Sequence, residues 1–262
     1  MSLIYTDIFG KKTDKIQKAI DFLKEFEPEQ GYTVGFSGGK DSQVLQWIME
    51  QSGCKHKSVY RLTTVDPPEL VHFIKSNYPN TIIEKPAETM WDLIIRKKTP
   101  PTRRIRYCCE VLKERGWNSE DVVCTGVRKE ESPRRQQWNQ IKHCMKGGGY
   151  TLINPILEFT DIDVWEIIKN IAKIDYCHLY DEGFKRLGCV GCPMASWKQR
   201  EFEFYKYPKI KRAYKRAFKT MLEKRNQSDM KKLWDNEEHL WRWWIYGADF
   251  KTHQNSNQLN FF

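Results

Sequence analysis

The stretch VGFSGGKDSQVLQW, from Val34 to Trp47, joins a short apolar run to a helical apolar pattern through two adjacent glycines. A strand that ends in such a turn and then enters a helix presents several backbone N–H groups at the positive end of the helix dipole. Gly38 and Gly39 let the backbone turn sharply and approach oxygen atoms closely. The sequence therefore predicts an anion-binding loop at this junction.

The side chains of the same loop extend that prediction. Ser37 and Ser42 offer hydroxyls and Lys40 offers a positive charge, whereas Asp41 suits a phosphate site only if it caps the helix or holds a metal ion. The loop is too short for the pattern G-x-x-x-x-G-K-[ST] and lacks G-x-G-x-x-G. Neither a P-loop nor a dinucleotide-binding fold is expected.

Apolar strand patterns and helical patterns alternate on both sides of the loop. Strands are predicted at residues 32–37, 57–66, 80–85 and 121–127, and helices at 13–27, 69–77, 90–97 and 109–115. Thr13 is the expected N-cap of the first helix, and Thr160 with Asp163 caps a later one. Strands separated by helices indicate a Rossmann-like, doubly wound parallel α/β sheet. Residues 1–195 are predicted to form this domain, and residues 196–262 a basic, Trp-rich helical extension.

The charge and hydropathy of the chain indicate its location in the cell and the type of partner that it binds. The 262 residues include 44 Lys and Arg against 34 Asp and Glu, a net charge of +10. No apolar run approaches a membrane span and the start lacks the core of a secretory signal, so a cytoplasmic protein is expected. Basic runs at 96–107 and 205–219 favour a polyanion partner, and a solvated face on a basic protein is the alternative. Four aromatic residues interleave with the second run and either stack on unpaired bases or form the inner face of a helix: Tyr205, Tyr207, Tyr214 and Phe218.

Eight cysteines in a cytoplasmic chain indicate metal or redox chemistry rather than disulfides. Cys108 and Cys109 are adjacent, and Cys189 and Cys192 form a C-x-x-C pair with glycines around them. Such a pair places two thiolates on one metal centre. From the spacing alone, tetrahedral zinc and an iron–sulfur cluster both remain open.

Several stretches together resemble a known family. They are SGGKDS (37–42), TTVDPPEL (63–70), RYCCEVLK (106–113), TGVRKEESPRR (125–135), NPILEFTDIDVW (154–165) and LYDEGFKRLGCVGCP (179–193). In this order they are similar to the phosphoadenosine-phosphosulfate (PAPS) reductase-like branch of the PP-loop ATP pyrophosphatases, within the adenine nucleotide α-hydrolase superfamily. The resemblance spans roughly residues 30–195.

The resemblance implies roles for particular residues. It implies that the loop holds ATP with Mg²⁺, or a sulfonucleotide, and that Lys40, Asp41 and Arg128 are catalytic. It also implies a 4Fe-4S ligand set of Cys108, Cys109, Cys189 and Cys192, with zinc as the alternative. Arg is suited to phosphate or sulfate because its planar fork meets two oxygens. The pattern does not decide whether Arg134 or Arg135 points inward. The residues expected to bind the nucleotide are Ser37, Gly38, Gly39, Lys40, Asp41, Ser42, Asp66, Arg128 and Arg135.

The resemblance also separates the candidate activities. Sulfonucleotide reductases of this family attack sulfur with a C-terminal cysteine, whereas Cys192 is the last cysteine here. An ATP-dependent adenylating sulfur-transfer enzyme is therefore expected, acting on a nucleic acid by DNA phosphorothioation or tRNA thiolation. A sulfur-donor protein such as a cysteine desulfurase is an expected partner. An APS or PAPS reductase and a non-catalytic nucleotide- or nucleic-acid-binding module are the alternatives.

Overall fold

The computed structural model describes residues 2–6, 10–145, 149–226 and 233–247. The chain divides into two compact units. Unit 1 comprises Met1–Leu62, Pro68–Lys85 and Glu114–Gly188, and unit 2 comprises Thr63–Pro67, Pro86–Lys113 and Cys189–Phe262. The predicted boundary at residue 195 follows the sequence motifs and stays a prediction. Parts of the predicted extension, residues 227–232 and 248–262, lie outside the described residues.

The strands all belong to unit 1. In chain order they are β1 (Ile4–Thr6), β2 (Lys12–Asp14), β3 (Tyr32–Gly35), β4 (His56–Arg61), β5 (Ile82–Glu84), β6 (Val122–Cys124), β7 (Ile141–Cys144) and β8 (Tyr150–Ile153). Within the described residues, six of them form a sheet in the order β5-β4-β3-β6-β8-β7. The pairs are parallel except β7 with β8. The predicted Rossmann-like parallel α/β fold is confirmed.

The helices alternate with the strands up to the middle of the chain. They are α1 (Lys15–Glu25), α2 (Lys40–Ser52), α3 (Pro68–Asn77), α4 (Met90–Lys97), α5 (Tyr107–Leu112), α6 (Pro133–Gln136), α7 (Asp161–Glu166), α8 (Trp197–Lys206), α9 (Pro208–Asn226) and α10 (Glu237–Tyr246). The predicted N-cap Thr13 is wrong. Asp14 caps α1 instead, because its Oδ1 accepts from Ile16 N at 3.0 Å. The predicted Thr160 and Asp163 capping box is confirmed.

The core of unit 1 lies around the centre of the sheet. Strand β3 pairs through Val34 with Ser58 on one side and Cys124 on the other, so both of its edges are hydrogen-bonded. Helices α1 and α2 cover it with apolar side chains that have little or no exposed surface, namely Leu23, Val44, Leu45, Ile48 and Met49. This burial fixes the end of β3 and the start of α2, and therefore the loop between them.

Unit 2 is helical in its described residues and has its own aromatic core. Helix α9 packs against α4, α8 and α10. The rings of Phe204, Tyr214, Phe218, Trp241 and Trp244 contact one another, for example Tyr214 and Trp244 with centroids 4.9 Å apart. Tyr207, Tyr214 and Phe218 of the basic run are buried; Tyr214 and Phe218 lie on the inner face of α9, and Tyr207 lies between α8 and α9. Tyr205 is 87% exposed.

None of the helices in the described part of the chain has the length and apolar character needed to cross a membrane.

Candidate functional site

Glycine is required at Gly38 in the loop between β3 and α2, and at Gly126 in the loop after β6 that packs against the first turn of α2. Gly38 has a φ of +70°, and a Cβ there would lie 2.7 Å from Ile74 Cγ1, so a side chain is excluded by backbone conformation and by space. A Cβ on Gly126, in the loop after β6, would lie 2.9 Å from the carbonyl of Asp41. The chain after β6 therefore passes directly against the first turn of α2.

Hydroxyl groups pair with the backbone N–H groups of this loop. Ser37 N donates to Ser42 Oγ at 3.2 Å, and Lys40 N donates to the phenolic oxygen of Tyr180 at 2.9 Å. Burial raises the pKa of Tyr180 above its ordinary value, so the phenol stays neutral. These amides lie at the N-terminus of α2, where backbone N–H groups and the helix dipole favour an anion. A phosphate oxygen is a stronger acceptor than a hydroxyl and can replace it.

Two cations and two carboxylates meet beside the loop. Arg128 is 3% exposed, and its Nε donates to Asp41 Oδ1 at 2.6 Å while Nη2 donates to Asp161 Oδ1 at 2.9 Å. Lys40 Nζ lies 3.1 Å from Asp41 Oδ2 and 3.0 Å from Asp161 Oδ1. Each carboxylate therefore bridges both cations. Burial opposes the charge of Arg128, but Asp41, Asp161 and Glu130 outweigh it and raise its pKa.

Local structure holds this cluster of side chains in place. Asp41 is in the first turn of α2, and Asp161 is the first residue of α7, directly after the N-cap Thr160. Arg128 Nη1 donates to Glu130 Oε2 at 3.0 Å, and the same carboxylate oxygen accepts from the backbone N–H of Asp161. The guanidinium is thus bound on three sides and cannot rotate freely.

An open cavity of about 420 Å³ lies in front of the loop. Its lining includes five cations and four carboxylates, namely Lys40, Arg128, Arg135, Lys185 and Arg186 with Asp41, Glu130, Glu131 and Asp161. The volume suits a nucleotide. Lys185 and Arg186 are exposed at its edge. The mixture of both charges suits a polyphosphate that carries a divalent cation better than a bare anion.

Not all of the arginine and aspartate residues considered as nucleotide ligands line the cavity. Arg135 lines the cavity and pairs with Glu131, whereas Arg134 is exposed and does not line it. Asp66 belongs to unit 2, where it accepts from the backbone N–H of Thr63 at 2.6 Å. Asp66 is not among the described residues that line the cavity.

The four predicted cluster ligands all lie in unit 2. Cys108 and Cys109 are consecutive residues of α5, and Cys192 N donates to the carbonyl of Cys189 at 3.3 Å within a turn. Gly191 fixes that turn, because its N–H donates to Glu203 Oε2 at 2.7 Å and its φ is +73°.

The thiols of this group interact electrostatically. The pKa of Cys109 is lowered because Cys108 donates a hydrogen bond to it and Arg106 Nη2 lies 3.4 Å from its sulfur. The pKa of Cys108 is raised by the same hydrogen bond, by burial and by the charges of the other three thiols. Burial raises the pKa of Cys189 to about 11, against the opposing charge of Lys113.

The donor set fits an iron–sulfur cluster in its chemistry. Four thiols of one unit interact with one another, and Lys113 and Arg106 are near enough to offset thiolate charge. Iron–sulfur clusters are held by four such thiolates. The four sulfur atoms lie farther apart around a cluster than they do around a single metal ion. Within the described ranges, no three or more His, Cys, Asp or Glu side chains are grouped to hold one metal ion. The cluster and the zinc alternative both stay predictions.

Comparison with known families identifies the family to which the chain belongs. A model of the phosphoadenosine phosphosulfate reductase domain matches residues 31–195, well over half of the 262 residues. The chain belongs to the phosphoadenosine phosphosulfate reductase domain family. The resemblance noted in the sequence is therefore confirmed at the level of the family, and the loop, Arg128 and the four cysteines lie inside or at the ends of the matched region.

Individual relatives of this family member are distant. A protein of Methanocaldococcus jannaschii described as uncharacterized is 27% identical over 241 residues, which is 87% of this chain and 49% of that protein. The adenosine 5'-phosphosulfate reductase of Lysinibacillus sphaericus is 27% identical over 135 residues, 47% of this chain and 55% of that one. The chain spans about half the length of these curated relatives.

One solved structure with a similar architecture is the FMN adenylyltransferase of Candida glabrata in complex with FMN and the ATP analogue AMPCPP. It shares 18% sequence identity with this chain, covers 67% of it and 61% of its own chain, and superposes with a TM-score of 0.49.

Several residues of the site were not predicted from the sequence, among them Asp161, Tyr180, Gly126 and Glu130. Asp161 and Tyr180 reach the loop from 120 and 140 positions further along the chain, so no local pattern could place them there. Gly126, like Asp161 and Tyr180, was visible only as part of a family-like stretch, and its contact with Asp41 depends on how β6 lies beside β3. The N-cap at Thr160 did predict a helix start, and that start is what carries Asp161.

Proposed function

We propose that this chain is an ATP-dependent adenylating sulfur-transfer enzyme, which converts ATP to AMP and pyrophosphate and acts on a nucleic acid. The observation that carries the proposal is the pairing of Lys40 and Arg128 with two carboxylates at the head of the anion-binding loop. Membership of the PAPS reductase domain family supports nucleotide binding. The basic composition, with a net charge of +10, supports a polyanionic acceptor.

In this proposal the loop binds the β- and γ-phosphates through its backbone N–H groups and the hydroxyls of Ser37 and Ser42. An oxygen of the acceptor attacks the α-phosphorus, the bond between the α-phosphorus and its bridging oxygen breaks, and pyrophosphate leaves. Lys40 and Arg128 stabilise the negative charge that grows on that bridging oxygen. Asp41 and Asp161 hold Lys40 and Arg128 in position, and their carboxylates would hold Mg²⁺, which would offset the negative charge of the phosphates.

The second half of the reaction requires sulfur. The terminal sulfur of a persulfide on a donor protein, such as a cysteine desulfurase, attacks the activated acceptor and displaces AMP, so that one bond to sulfur forms and one bond to the AMP oxygen breaks. An external thiol reductant then cleaves the S–S bond that still joins the acceptor sulfur to the donor cysteine. Bound through Cys108, Cys109, Cys189 and Cys192, an iron–sulfur cluster would supply electron-transfer or sulfur-binding chemistry. Arg106 and Lys113 would offset the negative charge of those thiolates.

The test measures pyrophosphate and AMP with anaerobically purified protein. ATP and Mg²⁺ are supplied with tRNA, with duplex DNA or with neither, and Lys40→Ala is the inactive comparison. Pyrophosphate that depends on both Mg²⁺ and a nucleic acid, and that is lost in the variant, supports the proposal. Tight ATP binding without cleavage in the presence of every acceptor and a sulfur donor contradicts it and indicates a binding module.

A sulfonucleotide reductase is the second candidate, because the relative from Lysinibacillus sphaericus carries that activity in its name. No cysteine follows Cys192 in the 262 residues, so these residues do not themselves supply the attacking thiolate of such a reductase. Sulfite formation from an adenylyl sulfate with thioredoxin as reductant is the observation that would favour this candidate. The same assay run without ATP separates the two activities.

A further inference from the structure

Helix α9 presents a row of exposed cations that the proposed active site does not use. Lys209, Arg212, Arg216 and Lys219 are spaced by three and four residues, so they lie on one side of the helix. All four are exposed. We call them the α9 row. Ten residues of helix separate its ends, a length of about 15 Å at ~1.5 Å per residue.

Other cations of the same helix are used within the protein, whereas the row is not. Lys215 pairs with Glu238 at 2.5 Å, and Lys211 lies 5.7 Å from the centre of the Trp241 ring. No side chain of the α9 row makes an ion pair or hydrogen bond with any residue that the structure describes. Four adjacent like charges repel one another, so such a row is stabilised by an external polyanion.

The opposite face of the helix narrows the choice of polyanion. The apolar residues of α9 are buried in unit 2, namely Tyr214, Ala217, Phe218, Met221 and Leu222. An interfacial helix needs a free apolar face to enter a lipid surface, and α9 has none left. A single-stranded nucleic acid needs exposed aromatic rings on which its bases stack. Three of the four aromatic residues in this basic run are buried, so the row offers charge without a stacking surface.

We propose that the α9 row docks the phosphate backbone of a duplex nucleic acid, and this inference rests on the proposed function for its choice of substrate. A duplex presents one phosphate per strand for about every 3.4 Å of its axis, so about 15 Å of helix faces four or five phosphates of one strand. Backbone contacts of this kind carry no base sequence. The row positions the acceptor, and sequence selection belongs to other residues.

The experiment compares two variants that lose the same charge. The row variant replaces Lys209, Arg212, Arg216 and Lys219 by Gln. The control variant replaces four exposed lysines of unit 1 by Gln, namely Lys18, Lys24, Lys57 and Lys75. Fluorescence anisotropy measures the affinity of each protein for duplex DNA, duplex RNA, single-stranded DNA and phosphatidylserine vesicles from about 50 to 200 mM salt. Affinity for a nonhydrolysable ATP analogue is measured in parallel.

The expected result is quantitative. Four lost phosphate contacts reduce the slope of log K against log salt for the duplex by about 3.6, or ~0.9 per contact, while the control variant keeps most of the wild-type slope. The DNA and RNA arms show which duplex is preferred. Unchanged binding of the ATP analogue shows that the row variant is folded. Tyr205→Ala should leave duplex affinity unchanged.

Three results would overturn the docking proposal. The first is equal slopes for the row and control variants, and the second is tighter binding of single strands or vesicles than of either duplex. The third is a loss of duplex binding in Tyr205→Ala that matches the loss in the row variant. Failure of the proposed function looks different, because the wild-type protein would then bind duplex with the expected slope and release no pyrophosphate.

Discussion

Arg128 donates through Nε to Asp41 Oδ1 at 2.6 Å, across 87 positions of sequence. This contact joins the loop after β6 to the first turn of α2, at the point where the proposed nucleotide is held. The same guanidinium reaches Asp161 at 2.9 Å. One buried side chain therefore sets the geometry of two carboxylates, and its planar fork is the feature that makes this possible.

Arg128→Lys should show whether the positive charge at this position is sufficient or whether the planar guanidinium is required. Lysine keeps the positive charge but cannot donate to Asp41, Glu130 and Asp161 at once, so pyrophosphate release should fall by roughly 10²- to 10³-fold. Affinity for the ATP analogue should fall less, because the total charge is kept. Lys129→Arg, at a neighbouring position outside the cavity lining, is the control. Turnover within about twofold of wild type in Arg128→Lys would show that only charge matters at this position.

Asp161→Asn tests a residue that the motifs did not single out. The neutral amide can still accept from Arg128 but no longer balances Lys40 and Arg128 electrostatically. A hydrogen bond to a charged group contributes about 1.5–3 kcal/mol, so activity should fall roughly 10- to 100-fold. Glu158→Gln, which removes the partner of Lys129, is the control and should leave activity unchanged. Equal activities in both variants would place Asp161 outside the mechanism.

The fold followed from local patterns wherever the patterns were strong. β3, β4 and β6 carry apolar runs and lie in the interior of the sheet, and α4 was predicted with the bounds that the structure shows. The strands that were not predicted have only three or four residues each. β7 reads IKHC and forms the antiparallel edge of the sheet, so its pairing comes from its neighbour β8 rather than from its own pattern.

From the residues alone, the candidate site was predictable only where they are contiguous, whereas Arg128 and Arg135 were assigned to it through the resemblance to the family. The hexapeptide from Ser37 to Ser42 signalled an anion loop by itself, because its glycines and hydroxyls are adjacent in sequence. Tyr180 and Asp161 enter by tertiary contact and gave no local signal. Two aromatic residues of the basic run did carry a local signal in the sequence. Tyr214 and Phe218 are four residues apart, the spacing of one buried helix face, whereas the burial of Tyr207 between α8 and α9 has no such periodic signal.

The cysteine set gives a prediction that does not depend on activity. Protein purified without oxygen should contain about four iron and four sulfide per chain and should absorb visible light. Cys189→Ser should lose most of the iron and the colour, whereas Cys144→Ser, in β7, should keep both. Treatment of the wild-type protein with a strong iron chelator should bleach it. A colourless wild-type protein that contains zinc would replace the cluster by the zinc alternative.

The capping box of α7 should make stability depend on pH. Burial opposes the charge of Asp163, but hydrogen bonds from Lys15 at 2.5 Å and from the backbone N–H of Thr160 at 2.7 Å lower its pKa below the ordinary 3.8. The ionised form is favoured in the folded state, so this stabilisation is present above about pH 4 and is lost as the pH falls through the lowered pKa.

Asp163→Asn measures that contribution. The free energy of unfolding should be lower than that of wild type by about 1 kcal/mol at neutral pH. The difference should stay constant down to about pH 5 and shrink below pH 4, where the wild-type carboxylate takes up its proton. Denaturant titrations at several pH values provide the measurement, with Asp21→Asn on the exposed side of α1 as the control. A difference that grew on acidification would contradict the lowered pKa.

Gly126→Ala tests whether the backbone after β6 positions the nucleotide loop. The new Cβ would lie 2.9 Å from the Asp41 carbonyl and 3.1 Å from Ser42 N, both backbone atoms that cannot rotate away. The first turn of α2 must shift, and a displacement near 1 Å at a reacting site costs roughly 10²-fold in rate. Gly188→Ala is the matched control, because nothing lies within 4 Å of its Cβ position and its φ is not positive. The affinity for the ATP analogue, measured by calorimetry, and the rate of pyrophosphate release should both fall in Gly126→Ala and stay unchanged in Gly188→Ala. Equal affinities in the two variants would show that the loop holds its shape without this contact.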